Sequence, residues 1–351
     1  MPLHALEVRD FRCFQRLEIQ FHIRANIIIG LNGSGKTSIV EAIHLLSSLR
    51  SLRSPSIRDL IRTHSEAFSL RGTVGNVHHE VIHVAYGSHE KVIEINGVPQ
   101  QSRRALQDAF RTISVTADDM KLVQGFPEVR RNFIDALGVH CYPSYQEILL
   151  RSHHLHKQRT ALFTRGGRIT PADLALWTEQ MWQASAHLRA ARQEVMQKLT
   201  AALNVLCHQV DASLPEIQLI YHLNNYEQQV ASADDWISRY YEQEVRMRRS
   251  LLGAQSDDID IMVAAQGARR FASRGMQKLL MIMLKLAQIP LMGESTLLLD
   301  DLLADFDEER LALMFQIMQH AAGQIILTTP RQPDKVVQEF IAQYQGKIMT
   351  L

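Results

Sequence analysis

Gly30-Leu31-Asn32-Gly33-Ser34-Gly35-Lys36-Thr37 is a complete phosphate-binding loop, a run whose residue types and spacing hold a nucleoside triphosphate. Glycines at 30, 33 and 35 allow a tight turn that aims successive backbone N–H groups at phosphate oxygens. The helix that follows adds the positive end of its dipole. Lys36 is placed to neutralise the β- and γ-phosphates, and Thr37 to offer its hydroxyl to Mg²⁺, so ATP and Mg²⁺ are the expected ligands. Such a cradle cannot hydrolyse ATP alone. It needs one carboxylate to hold the metal through water and a second to position the attacking water. Leu297-Leu298-Leu299-Asp300-Asp301 supplies both at the end of an apolar run, Asp300 for the metal and Asp301 for the water. The expected catalytic set is therefore Lys36, Asp300 and Asp301. A third segment, Ala272-Ser273-Arg274-Gly275-Met276-Gln277-Lys278, precedes a helical run, where the Ser273 hydroxyl and Gly275 amide form either an anion site or an ordinary helix cap.

Stepping outward, the loop lies between an apolar run at 25–29, read as a strand, and a helical run at 38–46. Leu17, Ile19, Phe21 and Ile23 alternate with polar residues and predict a half-buried strand. Residues 92–95 followed by Asn96-Gly97 predict a hairpin. Near residue 120 the chain turns helical. Thr170-Pro171-Ala172-Asp173 marks a helix start, with Thr as cap and Pro at the first helical position. Leu174, Trp177, Met181, Ala184, Leu188, Ala191 and Val195 then recur alternately three and four apart, a seam of about three heptads. Continued to Leu206, the seam spans about 48 Å. A projecting arm and a long helix within a bundle both satisfy it. Beyond residue 256 the α/β pattern returns, with strands expected at 259–263, 296–299 and 325–327 and helices at 276–287 and 308–320. Because the two halves of the nucleotide site lie at opposite ends of the chain, the helices between them must be inserted into one ATPase domain. The expected division is a head lobe at 1–115, a helical insertion at 116–250 and a second head lobe at 251–351.

The order of phosphate loop, long helical insertion, Ser-x-Gly helix, Asp-Asp strand and Asp305-Phe306-Asp307 resembles the ABC-type ATPase heads of the SMC family. The expected fold class is thus α/β, a P-loop head of ABC/SMC type with an inserted, coiled-coil-like helical arm. The segments Leu6-Glu7-Val8-Arg9-Asp10-Phe11-Arg12, 122–135, Lys157-Gln158-Arg159, Trp177-Thr178-Glu179-Gln180 and Ala272-Ser273-Arg274-Gly275 resemble the RecF family, in order and over nearly the whole chain. The resemblance implies an ATP-dependent DNA-binding protein that works with RecO and RecR at single-/double-strand junctions or gaps. There it helps load RecA and supports the SOS response. It also implies that ATP closes two heads into a homodimer in which Ser273 and Gly275 reach the partner's γ-phosphate. One departure stands out. The family's Gly-Pro-His-Arg or Lys, then acidic residues, is here Gly253-Ala254-Gln255-Ser256-Asp257-Asp258, which leads us to expect weaker hydrolysis or DNA coupling. Asp301 stands where ABC transporters carry Glu, so turnover is expected to be slow, a switch more than a motor.

Composition narrows the remaining classes. The formal net charge of +1 excludes nucleic-acid binding by bulk charge, so DNA contact must come from local patches. Arginines cluster at 50, 53, 58 and 62, at 103 and 104, at 130 and 131, at 246, 248 and 249, and at 269 and 270. The first group is favoured because it follows the loop helix. The 351 residues include three scattered cysteines, with neither a disulfide framework nor a zinc knuckle, and no stretch approaches the roughly twenty apolar residues that cross a bilayer. A soluble, cytoplasmic protein without a membrane partner is expected. His79-Glu80-Val81-Ile82-His83 matches a zinc-protease pattern, but on a strand the two histidines would stand about 13 Å apart. His153, His154 and His156 read as a solvated helix face. The competing classes are a transporter ATPase subunit, whose insertion should be short, and a metabolic kinase, in which the Ser-x-Gly segment would have no role.

Overall fold

The computed structural model describes residues 1–87, 91–165, 169–210, 214–301, 306–321, 323–330, 332 and 335–351. Two units organise them. One holds Met1–Asp119, Lys278–Leu351 and the end of a long helix from Leu206; the other holds Met120–Val205 and residues 214–277.

In chain order the first unit begins with strands β1 (Leu3–Phe11), β2 (Phe14–Gln20) and β3 (Ala25–Ile29) and helix α1 (Lys36–Ser48). It continues through β4 (Ala67–Val74), β5 (Glu80–Gly87), β6 (Lys91–Ile95), β7 (Val98–Pro99), α2 (Arg103–Ala109) and β8 (Thr112–Val115). The second unit carries α3 (Lys121–Gln124), α4 (Pro127–Cys141), α5 (Tyr145–Thr164), α6 (Pro171–Val210) and β9 (Ile217–His222). After these come α7 (Ala233–Met247), β10 (Asp258–Val263), β11 (Gln266–Gly267) and α8 (Ala268–Phe271). Helix α9 (Arg274–Leu286) returns the chain to the first unit, which ends with α10 (Ile289–Met292), β12 (Thr296–Leu299), α11 (Glu308–Ala321), β13 (Gln324–Thr329), α12 (Lys335–Gln343) and β14 (Lys347–Thr350).

Two sheets build the first unit. A parallel sheet runs β14-β3-β13-β12-β8, and an antiparallel one runs β2-β1-β4-β5-β6-β7. Strands β3, β12 and β13 are buried at every position, which is why they are mostly apolar and show no polar/apolar alternation. Helix α1 packs into the core shared with both sheets. Ile39, Val40, Ile43 and Leu46 join Leu6, Phe68 and Ile82 on one side and Leu298 and Ile326 on the other, so little of the helix is left to face water. The strand expected from the alternation at 17–23 instead ends at Gln20. The Asn26 carboxamide takes the His22 N–H and C=O, at 2.7 and 2.8 Å, and turns the chain into β3. Asn96 and Gly97 both have positive φ, 53° and 76°, as a two-residue type I′ hairpin requires. Residues 80–83 lie on β5. There the His83 imidazole bonds the Ser69 hydroxyl and faces Glu94, while the His79 ring, just before the strand, lies tilted against His4.

Helix α6, most of which belongs to the second unit, runs 40 residues, about 60 Å. Thr170 and Asp173 cap it reciprocally: the Asp173 carboxylate accepts from the Thr170 N–H and hydroxyl, and the Asp173 N–H donates back to that hydroxyl. Met181 and Ala184 of the seam pack with Leu155, Trp236, Leu251 and Leu252, so within this unit α6 is a bundle helix. Residues 251–277, expected in the second head lobe, group instead with the helical unit, because β10 pairs with β9 and β11 and not with the parallel sheet. Of the three helix histidines, 153 and 154 are exposed, whereas burial holds the part-buried His156 imidazole below its usual range. Among the described residues no helix is long and apolar enough to cross a membrane.

Buried charge ties this unit together. The fully buried Arg159 donates to both Glu244 oxygens at 2.6 and 2.7 Å, to the Ser250 hydroxyl and to Thr178, and Glu244 also accepts from the Trp236 indole and the Leu251 N–H. Removing one member of such a pair strands the other in a dry site. Arg159→Met is therefore expected to destabilise this unit by about 3–5 kcal/mol in urea unfolding, and Arg159→Met/Glu244→Leu to recover much of that loss. The departing segment belongs to a second network. Asp257 accepts from Arg189, the Tyr221 hydroxyl and the Asn224 N–H, while Asp258 forks with Arg130. Arg130 and Arg131, one of the arginine clusters, are thereby turned inward: Arg130 is buried and Arg131 donates to the Asp257 carbonyl.

Candidate functional site

Parallel strands align their carboxyl ends, and here that alignment assembles a site. β3 ends at the phosphate loop, β13 ends at Thr328-Thr329 and β12 ends at Asp300, with β13 lying between the other two. The Gly30 N–H donates to the Thr329 carbonyl at 3.3 Å, and the Asp300 N–H to the Val115 carbonyl at 3.0 Å.

The loop is shaped by its glycines. Gly33 and Gly35 have φ of 86° and 101°, the left-handed region where a side chain is strained. At Gly35 a Cβ would also meet the Phe14 ring at 2.4 Å and Cys13 Sγ at 2.8 Å, so the loop backbone presses on the β1–β2 turn. Lys36 is almost fully buried, and its Nζ donates to the Gly30 and Leu31 carbonyls at 2.8 and 3.1 Å. These bonds hold the ammonium across the loop. Ser34 Oγ is buried with no partner among the described residues, a cost that a ligand oxygen would remove. Leu31, Asn32 and Gly33 are exposed at the tip.

Thr37 and Asp300 meet. The Thr37 hydroxyl donates to Asp300 Oδ1 at 2.9 Å across 263 positions of sequence. Asp300 Oδ1 also accepts from the Thr328 hydroxyl at 2.9 Å, and that hydroxyl accepts the Asp301 N–H at 3.0 Å. A hydroxyl and one carboxylate form a hard, all-oxygen donor pair that leaves most positions to water and phosphate, which suits Mg²⁺. The residues present therefore fit both triphosphate and metal.

Asp301 takes φ of 52°. Asp and Asn tolerate that region better than Glu does, a backbone reason for the shorter carboxylate. Partial desolvation, reinforced by Asp300 and opposed by Lys36 and Arg53, raises its carboxyl above the usual range. It is thereby made a stronger base than a free carboxylate.

The sequence groups Arg53 with arginines that could meet DNA; in the fold its Nη2 lies 3.5 Å from Asp300 Oδ2. The loop that carries it is anchored by a buried acid: Arg12 forks onto Glu41 at 2.8 and 3.1 Å, Glu41 accepts from the Ser51 hydroxyl, and that hydroxyl accepts the Arg53 and Ser54 N–H groups. Burial pushes the Glu41 carboxyl up, but Arg12 and Ser51 outweigh it and hold it below the ordinary range. Of its cluster, Arg62 pairs with Asp10 and Arg58 reaches the Tyr86 hydroxyl. Arg53→Gln is expected to weaken ATP binding about tenfold in a fluorescent-nucleotide titration, with nucleotide-free DNA affinity unchanged. No regular spacing in the sequence marks Arg53, Thr328 or the Arg12–Glu41–Ser51 anchor as belonging to this site.

Ser273 and Gly275 lie in the other unit and at the start of α9, where Ser273 Oγ accepts the Met276 N–H at 3.3 Å as a helix cap. Asp305 lies outside the described residues. Phe306 sits under the Lys278 ammonium at 4.7 Å, and Asp307 caps α11 by accepting the Arg310 N–H.

The chain is similar to the DNA replication and repair protein RecF of Bacillus velezensis, 28% identical over 94% of this chain and 93% of that one. It is equally similar to the protein of the same name from Leptospira interrogans, 28% identical over 99% and 95%. Its fold matches a structure of the recombination mediator protein RecF-ATPrS in the RecFOR pathway, with a TM-score of 0.78, 23% identity and coverage of 96% and 94%. It also matches an Smc head bound to the C-winged helix domain of ScpA, with a TM-score of 0.57, 15% identity and coverage of 97% and 92%. The model of the RecF/RecN/SMC N terminal domain spans residues 2–344, and on that match, which takes in both the phosphate loop and the Asp-Asp strand, this chain belongs to the RecF/RecN/SMC N terminal domain family.

Proposed function

We propose that this chain is an ATP-dependent DNA-binding recombination mediator of the RecF type. In this reading it acts with RecO and RecR at single-/double-strand junctions and promotes RecA loading in gap repair, replication restart and the SOS response. The first unit serves as the ATPase head and the second as its helical arm domain. The observation that carries the nucleotide part is the 2.9 Å bond between Thr37 and Asp300, which gathers metal-binding groups from both ends of the chain at the mouth of one phosphate loop. Relatives named for DNA replication and repair, alike over nearly the full length, support the rest.

Thr37 and Asp300 would hold Mg²⁺, which would supply neutralisation of the charge that builds on the leaving group. The loop amides and Lys36 bind the β- and γ-phosphates, and Arg53 steadies the Asp300 carboxylate from outside. Asp301 orients the attacking water and accepts its proton. Ser273 and Gly275 complete the site of a second copy, so hydrolysis follows dimer formation and runs slowly, as a switch. DNA is held through phosphates, without sequence preference, by arginines other than Arg53.

Size-exclusion chromatography with ATP and Mg²⁺, with and without a gapped duplex, tests this. The expected result is an ATP-dependent shift to dimer and retention of the duplex, weakening as salt rises. A dimer indifferent to DNA would point to an ATPase subunit with a non-DNA role such as transport, and a monomer indifferent to both would remove the reading.

A further inference from the structure

β9 is the outer strand of its sheet: it pairs with β10 along its whole length and has no second strand beside it among the described residues. In an antiparallel pair the main-chain groups point alternately toward the partner and away from it. Two contacts set the phase here. The Glu216 carbonyl accepts the Ala264 N–H, on the β10 side. The Ile217 N–H and C=O, on the far side, are both taken by the Asn204 carboxamide of α6, at 3.3 Å each. By the same alternation the N–H and C=O groups of Leu219 and Tyr221 face away from β10, and none of the described residues bonds to them. Asn204 thus does at Ile217 what the peptide group of a neighbouring strand would do, and the next two positions are left open.

A groove of about 740 Å³ lies at this edge, walled by β9 and by Gln193, Gln197, Thr200 and Ala201 of α6. No Lys or Arg is among its lining residues, and its one charged lining residue is Glu216. A phosphate backbone needs cations and finds none here. Neutral amides and a hydroxyl facing an open strand edge suit a polypeptide main chain. A second copy of this chain would bring its own α6 against the groove wall, whereas a free extended segment enters alone.

We propose that this groove binds an extended segment of a partner protein, which adds to β9 as a further strand, bonds the main chain at Leu219 and Tyr221 and sets a basic side chain against Glu216. The assignment is independent of the nucleotide site, which lies in the other unit.

The test uses the full chain and a random heptapeptide phage library, with counter-selection on Ala201→Trp and on Gln197→Arg. Both substitutions fill the groove from exposed positions of α6 and change no residue of the β9–β10 ladder. Circular dichroism and ATP binding report whether the variants are folded, and Gln197→Arg stands in if Ala201→Trp is not. The selected peptides are expected to bind the wild type at least about tenfold tighter than either variant and to slow exchange of the Leu219 and Tyr221 amides by at least about tenfold. They should also lose binding when their own alternate amides are methylated. Failure to enrich any peptide, equal binding of the methylated forms, or unchanged exchange at those two amides would overturn the proposal. Self-association lost in Ala201→Trp would hand the edge to a second copy, and protection of the same amides by a gapped duplex would hand it to nucleic acid; either result also overturns it.

Discussion

Lys36→Ala is expected to abolish ATP binding, with a loss on the order of 10²–10³-fold, about 3–4 kcal/mol, in calorimetric titration. The magnitude follows from where the ammonium sits. It is 4% exposed and held over the loop by the Gly30 and Leu31 carbonyls, so it meets phosphate in a dry, preset position where a charged hydrogen bond is worth more than in water. Lys36→Arg keeps the charge but places a planar fork where a compact ammonium fits. It should retain part of the binding and lose hydrolysis. Neither variant should shift the melting temperature much, since the lysine's bonds lie within one loop. Normal hydrolysis by both would show that the triphosphate binds elsewhere.

Asp301→Asn should separate hydrolysis from binding. Asparagine tolerates the same left-handed backbone, so the strand end and its Thr328 bond are expected to survive. Single-turnover hydrolysis should fall by about 10²–10⁴-fold, the usual contribution of a positioned base, while ATP affinity changes less than about threefold. The pH profile provides a second readout. Because partial desolvation raises the Asp301 carboxyl, the ionised form that activates water is reached only above the ordinary carboxylate range. Wild-type hydrolysis should climb with pH through that raised window, and the asparagine variant should lose the climb. A carboxyl raised on folding is one whose contribution to stability is present at low pH and is lost as pH rises through the folded value, so Asp301→Asn should be no less stable than the wild type at neutral pH. An unaltered rate would move the water-positioning role away from Asp301.

The arginine cluster shows what local reading leaves out. Residues 50, 53, 58 and 62 share one composition and one stretch of chain, yet Arg53 turns to Asp300, Arg62 to Asp10 and Arg58 to Tyr86. Each partner lies elsewhere in sequence, and pairing of that kind leaves no periodic trace. The strand expected at 17–23 shifted for a related reason: a buried Asn26 amide outcompeted the alternation that would have carried it on.

What the sequence alone determined was whatever depends on neighbours in the chain. The glycine spacing of residues 30–37, the five-residue strand before them, the Thr170–Asp173 cap and the twin aspartates after a buried strand are local patterns, because backbone torsion, hydrogen bonding of helix ends and two-faced burial act over a few residues. Only the fold could decide that β13 slides between β3 and β12, lending Thr328 to both aspartates. The same holds for residues 251–277 joining the helical unit, for Arg159 neutralising Glu244, and for the open outer edge of β9. Those outcomes rest on contacts between distant segments, where desolvation and charge pairing are settled by which surfaces meet in space.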